Sequence, residues 1–221
     1  MDRAPASEAG CERSSRSRGI FNKNGHGGAT IKSKLTELRW HGRGGQGAVT
    51  SAELIAQAAI AEGKYAQGFP SFGPERRGAP VMAFNRISAV DPIRNRAGIT
   101  NPDTVIVLDP GLIEIANVTA GLQDGGTIII NTTKAIDAFP ELSKKWRVAV
   151  IDANRIAREE LGVPIVNTTM LGALIKALEI IELDSMVDPL KARFGKIAEK
   201  NINAMTRAYD ETHIKELEKV G

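Results

Sequence analysis

The chain has 221 residues, 42% of them hydrophobic, which is enough for one sizeable core and predicts a single globular domain. It contains one cysteine, Cys11, so an internal disulfide is excluded and an iron–sulfur or zinc site cannot be built from its own thiolates. Its apolar runs are interrupted every few residues and fall short of the roughly 18 continuous apolar residues of a membrane-spanning helix, which predicts a soluble protein.

The positive charge is concentrated at the start of the chain. The formal net charge is +3 and the pI is about 9.0, values that on their own would suggest a nucleic-acid partner. Residues 1–34 contain seven Lys or Arg and three Asp or Glu, so they carry +4 and leave residues 35–221 at −1. Because the part expected to fold is not basic, we do not expect a nucleic-acid function.

Residues 1–34 are predicted to be a disordered tail that precedes one domain at residues 35–221. They are rich in Ser, Gly, Arg and Asn, and they have no apolar periodicity with which to offset the entropy of ordering. A natural extension remains open, and so does a tail that is not native, for example one arising from a translation start placed too far upstream.

The domain begins with a strand–loop–helix unit. The pattern predicts a strand at Leu35–His41, a glycine-rich turn at Gly42–Gly47 and a mostly buried, Ala-rich helix from about Ala48 to Glu62. Two further strands are predicted at Lys64–Gln67 and Val81–Ile87. The loop that joins these two strands, residues 68–80, contains three Gly and three Pro.

Strands and helices alternate in the rest of the domain. Three short β-branched runs are typical of strands buried on both faces of a parallel sheet: Thr104–Leu108, Thr127–Ile130 and Val148–Ile151. Helices are predicted at Leu112–Leu122, Ala153–Leu161, Asn167–Leu178 and about Lys196–Leu217. The alternation predicts an α/β fold, specifically a three-layer αβα sandwich with a mostly parallel sheet.

The turn at Gly42–Gly47 fits the pattern G-x-G-x-x-G between a strand and a helix, where backbone N–H groups and the helix dipole can hold a phosphate. Glycines at such a turn also serve tight packing alone, so both interpretations stay open. Dinucleotide binding is not expected, because no acidic residue ends the second strand, where it would hold the ribose hydroxyls. A P-loop is excluded because no Lys-Ser or Lys-Thr follows the glycines.

Two strings identify a family. The sequence HGRGGQGAVT at 41–50, followed by GFPSFGPERRGAPV at 68–81, resembles the gamma subunit of pyruvate and related 2-oxoacid:ferredoxin oxidoreductases. Softer matches are Asp109-Pro110, Asn131-Thr132-Thr133 and NTTMLGA at 167–173. The resemblance spans roughly residues 36–210 and leaves residues 1–34 unexplained.

The resemblance implies a cytoplasmic enzyme complex of anaerobic metabolism that decarboxylates a 2-oxoacid oxidatively to acyl-coenzyme A and reduces ferredoxin. Such a complex holds thiamine diphosphate, Mg²⁺ and [4Fe–4S] clusters and uses coenzyme A. The implied partners are alpha, beta and delta subunits, which carry the thiamine and the clusters, so this chain is expected to bind none of them alone. The strings resemble the pyruvate or 2-oxoisovalerate branch more than the 2-oxoglutarate branch.

Two groups of residues are candidates for contacts within that complex. The first is a candidate anion or coenzyme A loop, made of Gly42, Arg43, Gly44, Gly45, Gln46 and Gly47. The second is Glu75, Arg76 and Arg77, which are either solvated charges or a contact to the alpha subunit or to a coenzyme A phosphate.

No catalytic or metal-binding residue is assigned in this chain. His41 and His213 have no Cys, Asp or Ser at catalytic spacing. The alternative function is a stand-alone nucleotide- or coenzyme-A-binding α/β domain, and co-purification with larger, iron-rich chains distinguishes the two possibilities.

Overall fold

The computed structural model describes residues 35–71 and 78–217. The predicted tail at residues 1–34 lies outside the described residues, so the division of the chain into a tail and one domain stays a prediction. Within the two described ranges, every helix is too short or too polar to cross a membrane.

Seven strands and seven α-helices make up the described part of the chain. The strands are β1 (Leu35–Arg43), β2 (Tyr65–Pro70), β3 (Pro80–Ser88), β4 (Thr104–Val107), β5 (Thr127–Asn131), β6 (Arg147–Ile151) and β7 (His213–Lys215). The helices are α1 (Ala48–Ala61), α2 (Leu112–Ile115), α3 (Pro140–Ser143), α4 (Ala153–Leu161), α5 (Asn167–Leu178), α6 (Val187–Phe194) and α7 (Ala198–Glu211). Three short 3₁₀ turns lie among the later helices, at Ile136–Ala138, Leu183–Met186 and Gly195–Ile197.

The strands of the described part form one sheet in the order β2-β3-β1-β4-β5-β6-β7. β1, β4, β5 and β6 pair in parallel, whereas β3 is antiparallel to β1 and β2, and β7 is antiparallel to β6. Five of the seven strands therefore point the same way, and the predicted α/β fold with a mostly parallel sheet is confirmed. β2 and β3 are longer than predicted, because β2 continues to Pro70 and β3 runs from Pro80 to Ser88.

Both faces of the sheet are covered, which makes the three layers. Ile106 and Ile129 on one face pack against the longer helices, including α1, α4, α5 and α7. Their neighbours Ile128 and Ile130 on the other face pack against the short helices and loops that follow β4 and β5. Successive strand residues point to opposite faces, so burial on both faces explains why these strands are continuous apolar runs.

The predicted helix at Leu112–Leu122 is wrong beyond Ile115, where α2 ends. Asn117 adopts a left-handed conformation with φ 41°, which an Asn tolerates better than most residues. The β-branched Val118 that follows has a weak helix propensity. The segment instead forms turns whose carbonyl groups are free to bind side chains from the sheet.

The predicted helix at about Lys196–Leu217 is wrong at its carboxyl end. α7 ends at Glu211, and Thr212 is extended, with its hydroxyl donating to the carbonyl of Ala208 at 2.6 Å. Residues 213–215 then form β7, in which His213 pairs with Val150 of β6. The helical periodicity did not reveal this change, because the open edge of β6 supplies backbone partners that only the folded sheet provides.

Helices α5 and α7 pack in parallel and very closely. Their contacts advance together along both helices: the Thr168 hydroxyl is 2.9 Å from Asn201 Oδ1, and the Lys176 ammonium lies 4.7 Å from the ring centre of Tyr209. Between these contacts Gly172 faces Met205, and a Cβ added to Gly172 would lie 2.0 Å from the Met205 carbonyl oxygen. Glycine therefore sets the separation of these two helices.

Candidate functional site

The parallel strands β1, β4, β5 and β6 end at the same edge of the sheet. The chain leaves β1 toward β2 and β3 on one side, whereas β4 leads to β5 and β6 on the other side. The crevice between the carboxyl ends of β1 and β4 is therefore the point at which the strand order reverses. Ligands of open α/β sheets bind at such points.

The glycine loop, residues 42–47, lies at this crevice and needs glycine at two positions. Gly45 and Gly47 have φ values of 96° and 81°, in the left-handed region that L side chains rarely adopt. Gly47 also approaches Asn167 of α5, since an added Cβ would lie 2.8 Å from Asn167 Nδ2. Gly47 is the N-cap of α1 and provides no side-chain cap for the first turn of that helix.

Several amides of the glycine loop are used to brace the loop itself. Arg43 N donates to Gln46 Oε1 at 2.7 Å, and Gln46 N donates to the Arg43 carbonyl at 2.9 Å. Gly44 N donates to the carbonyl of Ala79 at 2.9 Å. Within the described residues, the amides of Gly45 and Gly47 have no hydrogen-bond partner. These two N–H groups and the uncapped start of α1 are thus the donors left for a ligand.

Asp109 links the glycine loop to the loop after β4. Its Oδ2 accepts from Arg43 Nε at 2.8 Å and from Gln46 Nε2 at 3.1 Å, while its Oδ1 accepts from Gly111 N at 2.9 Å. The charge of Arg43 is therefore already balanced by a carboxylate. Sequence reasoning noted Asp109 only as a softer family match, although an acid directly after a buried strand is a signal for this edge of the sheet.

The two strings that carry the family resemblance lie side by side. β1 and β3 pair Gly42 with Val81 and Arg43 with Pro80. Beyond this ladder, Gly78 N donates to the Gly44 carbonyl at 3.1 Å, and Arg43 Nη1 donates to the Gly78 carbonyl at 3.2 Å. The carboxyl end of the Gly- and Pro-rich loop is thus anchored on the glycine loop.

The residues of the softer family matches also lie at the carboxyl edge of the parallel strands. Asn131 at the end of β5 donates from Nδ2 to the Leu108 carbonyl at 2.8 Å and accepts from Ala153 N at 3.0 Å, which connects β4 to the start of α4. The carbonyl of Asn167 accepts from the Ser51 hydroxyl at 3.1 Å, which connects α5 to α1. Thr169 Oγ1 is buried and has no partner within the described residues. The Asn131 side chain and the Asn167 carbonyl thus connect the starts of α4 and α5 to neighbouring elements at the crevice.

Glu75, Arg76 and Arg77 lie outside the described residues. The described neighbours on either side are Ser71, whose amide donates to the Met82 carbonyl at 2.9 Å, and Gly78, which is bound to the glycine loop. The interpretation of these three charged residues stays a prediction.

A buried arginine–histidine pair precedes the glycine loop on β1. Arg39 donates from Nε to His41 Nε2 at 3.0 Å and from its terminal nitrogens to the carbonyl groups of Thr100, Val118 and Ala120. Burial and, second, the charge of Arg39 lower the pKa of His41 to about 4. His41 is therefore neutral at pH 7 and accepts a hydrogen bond. In residues 35–71 and 78–217, no three His, Cys, Asp or Glu side chains gather as metal ligands.

Comparisons with known proteins match nearly the whole described domain. The family model for pyruvate ferredoxin/flavodoxin oxidoreductase matches residues 37–211. The common gamma subunit of the pyruvate/ketoisovalerate oxidoreductases of Pyrococcus furiosus is 50% identical over 186 residues, which cover 83% of this chain and 100% of that protein.

Two further relatives support the same family. Pyruvate synthase subunit PorC of Methanothermobacter marburgensis is 49% identical over 177 residues, which cover 80% of this chain and 97% of that protein. The crystal structure of pyruvate oxidoreductase subunit PORC from Thermotoga maritima matches with a TM-score of 0.72 and 36% identity, and it covers 83% of this chain and 100% of that one. The chain belongs to the pyruvate ferredoxin/flavodoxin oxidoreductase family, within the group formed by its gamma subunits.

Proposed function

We propose that this chain is the gamma subunit of an oxidoreductase that converts pyruvate or 2-oxoisovalerate to the acyl-coenzyme A and passes the electrons to ferredoxin. The observation that carries the proposal is the match, over the full length of the relatives, to proteins named as gamma subunits of pyruvate/ketoisovalerate oxidoreductases. The chain serves in the cytoplasm as an accessory subunit and joins alpha, beta and delta partners.

The redox chemistry belongs to those partners. A [4Fe–4S] cluster is held by four Cys thiolates, and the whole sequence contains one cysteine, so this chain alone cannot hold one. Thiamine diphosphate with Mg²⁺ supplies the carbanion chemistry that decarboxylates the oxoacid when it is bound in the complex. This chain contributes a surface and a crevice next to that chemistry.

The crevice is the place where this chain would contact coenzyme A. The unbonded amides of Gly45 and Gly47, with the uncapped start of α1, are suited to one phosphate group. Arg43 lies beside them with its side chain about one third exposed, and its pairing with Asp109 holds it in one orientation. The loop thus supports anion contact through N–H groups more than through net positive charge.

Co-purification tests the proposal. The full chain, tagged and recovered from its native host, is expected to come out with larger, iron-containing chains, identified by mass spectrometry, and with pyruvate-dependent reduction of ferredoxin. The chain produced alone is expected to show neither iron–sulfur absorbance nor this activity. Recovery of the chain from its host without partners would favour a stand-alone nucleotide- or coenzyme-A-binding domain.

Replacing both Arg76 and Arg77 by Ala tests the second candidate group. If they contact the alpha subunit, association should weaken by about 2 kcal/mol, through the loss of charge-assisted hydrogen bonds. If they contact coenzyme A, the complex should assemble normally while the KM for coenzyme A rises and the KM for the oxoacid does not change. Size-exclusion chromatography and steady-state kinetics measure the two effects, and a variant that is normal in both would leave these residues as solvated charges.

A further inference from the structure

An exposed apolar patch lies where α5 and α7 begin. Val163, Pro164 and Ile165 form the turn before α5, and Ile197 directly precedes α7. The residues Val163, Ile165 and Ile197 are 44%, 45% and 55% exposed, although the adjacent Val166 and Ala198 are buried. We call the surface made of residues 163–165, Lys196, Ile197 and Lys200 the helix-start surface.

The packing of the two helices brings these residues together. Asn201 is the link, because its Oδ1 bonds the Thr168 hydroxyl at 2.9 Å and its Nδ2 donates to the Ile197 carbonyl at 2.8 Å. Ile165 precedes Thr168 by three residues, so both exposed isoleucines lie at the same end of a parallel helix pair. The exposed aliphatic groups therefore lie at one end of this helix pair.

The backbone holds the apolar side chains outward. The amide of Ile165 donates to the Val163 carbonyl at 2.9 Å, and Pro164 between them has a fixed φ. Gly162, with φ 78°, ends α4 and turns the chain toward α5. Val166 is then 2% exposed and anchors the turn in the core. Exposed apolar residues that lie together in this way mark a contact surface.

Two lysines beside the patch have no ion-pair partner within the described residues. Lys196 and Lys200 lie at the amino end of α7, where the helix dipole already places positive charge. Neither forms an ion pair or a side-chain hydrogen bond within the described part of the chain. On the same helix, in contrast, Arg207 pairs with Glu159, Glu160 and Glu211. Carboxylates from outside this chain would relieve the repulsion at Lys196 and Lys200.

We propose that the helix-start surface binds a partner subunit of the oxidoreductase through an apolar contact that is rimmed by carboxylates of the partner. The inference rests on the proposed function, because a gamma subunit must present a docking surface to other chains. The matching chemistry is an aliphatic or aromatic group opposite Ile165 and Ile197, with Asp or Glu side chains opposite the two lysines. A nucleic acid does not fit, because residues 35–221 carry a net charge of −1.

The helix-start surface lies close to the candidate site. Asn167, two residues after Ile165, packs against Gly47, and its carbonyl binds Ser51 of α1. A partner seated on the helix-start surface therefore lies next to the crevice that holds the glycine loop. The same partner would then cover part of that crevice.

Two double variants of the full chain test the inference: Ile165→Ser with Ile197→Ser, and Lys196→Glu with Lys200→Glu. All four side chains are exposed, so the variants should fold, which circular dichroism and melting temperature check. The matched controls are Ile60→Ser, whose side chain is 55% exposed at the other end of α1, and the exposed Lys134→Glu. Binding to the remaining subunits, purified as a complex without this chain, is measured by biolayer interferometry.

We expect each double variant to raise the Kd at least tenfold and each control to change it less than threefold. The affinity of the wild-type chain should fall with added salt more steeply than that of the Lys196→Glu, Lys200→Glu variant. Salt screens the attraction between the two lysines and the partner's carboxylates, and only the wild-type chain has that attraction. Folded double variants with the affinity of the wild type would overturn the inference and leave the proposed function intact. A wild-type chain that does not bind the other subunits at all would instead overturn the proposed function.

Discussion

An alanine at position 172 is expected to destabilise the fold by about 3 kcal/mol, the upper end of the usual cost of overpacking a core. Helix propensity acts the other way, since Ala in a helix interior is favoured over Gly by about 1 kcal/mol. Packing dominates because the added Cβ would lie 2.0 Å from the Met205 carbonyl oxygen and 2.9 Å from Tyr209 N. Both are backbone atoms, so α5 and α7 must separate and expose part of their shared core.

Urea unfolding of the domain measures this effect as a lower midpoint with an unchanged slope. Gly98→Ala is the matched control, because Gly98 is exposed, has no heavy atom within 4 Å of an added Cβ, and does not have a positive φ. We expect the control to unfold within about 0.5 kcal/mol of the wild type. A Gly172→Ala variant as stable as the wild type or more stable would mean that the two helices are not held as closely as described.

Acidification from pH 7 to pH 4 is expected to cost the fold about 3 kcal/mol at His41 alone. Burial, followed by the charge of Arg39, lowers the pKa of this imidazole from 6.5 to about 4. Below pH 6.5, His41 therefore binds a proton in the unfolded chain but not in the folded chain, so the free energy of unfolding decreases as the pH falls. The loss is complete near pH 4, where the folded histidine is protonated as well.

The His41→Gln variant isolates this contribution. Glutamine keeps an acceptor for Arg39 Nε but does not titrate, so its stability should fall less steeply than that of the wild type between pH 6.5 and pH 4. Other groups also titrate as the pH falls, including Asp103, whose pKa is raised by burial, and taking the difference between the two proteins removes their contribution. His213→Gln, at an exposed histidine, controls for the loss of an imidazole. Parallel stability curves for wild type and His41→Gln would contradict the prediction.

Local pattern predicted most of the sheet and the glycine turn between β1 and α1. The runs at Thr104–Leu108, Thr127–Ile130 and Val148–Ile151 became β4, β5 and β6 within one residue or so at each end. A continuous run of β-branched residues favours a strand that is buried on both faces. A segment of a few residues was therefore sufficient to predict each of these strands. The turn at the glycine loop was predicted for a similarly local reason. Two of its residues have a conformation that only glycine adopts readily.

The bracing of the candidate site could not be predicted in this way. Arg43 and Asp109 are 66 residues apart in the sequence, and their pairing depends on β1 and β4 being neighbours in the sheet. The contacts of Arg39 could not be predicted either. It donates to the backbone carbonyl groups of Thr100, Val118 and Ala120, and because every residue has such a group, residue type does not identify these partners. Composition and periodicity carry no record of such contacts.

The family, the α/β class and the glycine turn between β1 and α1 could be recognised from the amino-acid sequence, because each depends on residues that are adjacent or a few positions apart. Three features required the folded chain: Asp109 balances the charge of Arg43, the chain after α7 returns as β7, and α5 and α7 begin side by side at an exposed apolar patch. These features arise from groups that meet through packing across the sheet and between helices, and the free energy of such contacts depends on distances that a linear pattern does not contain.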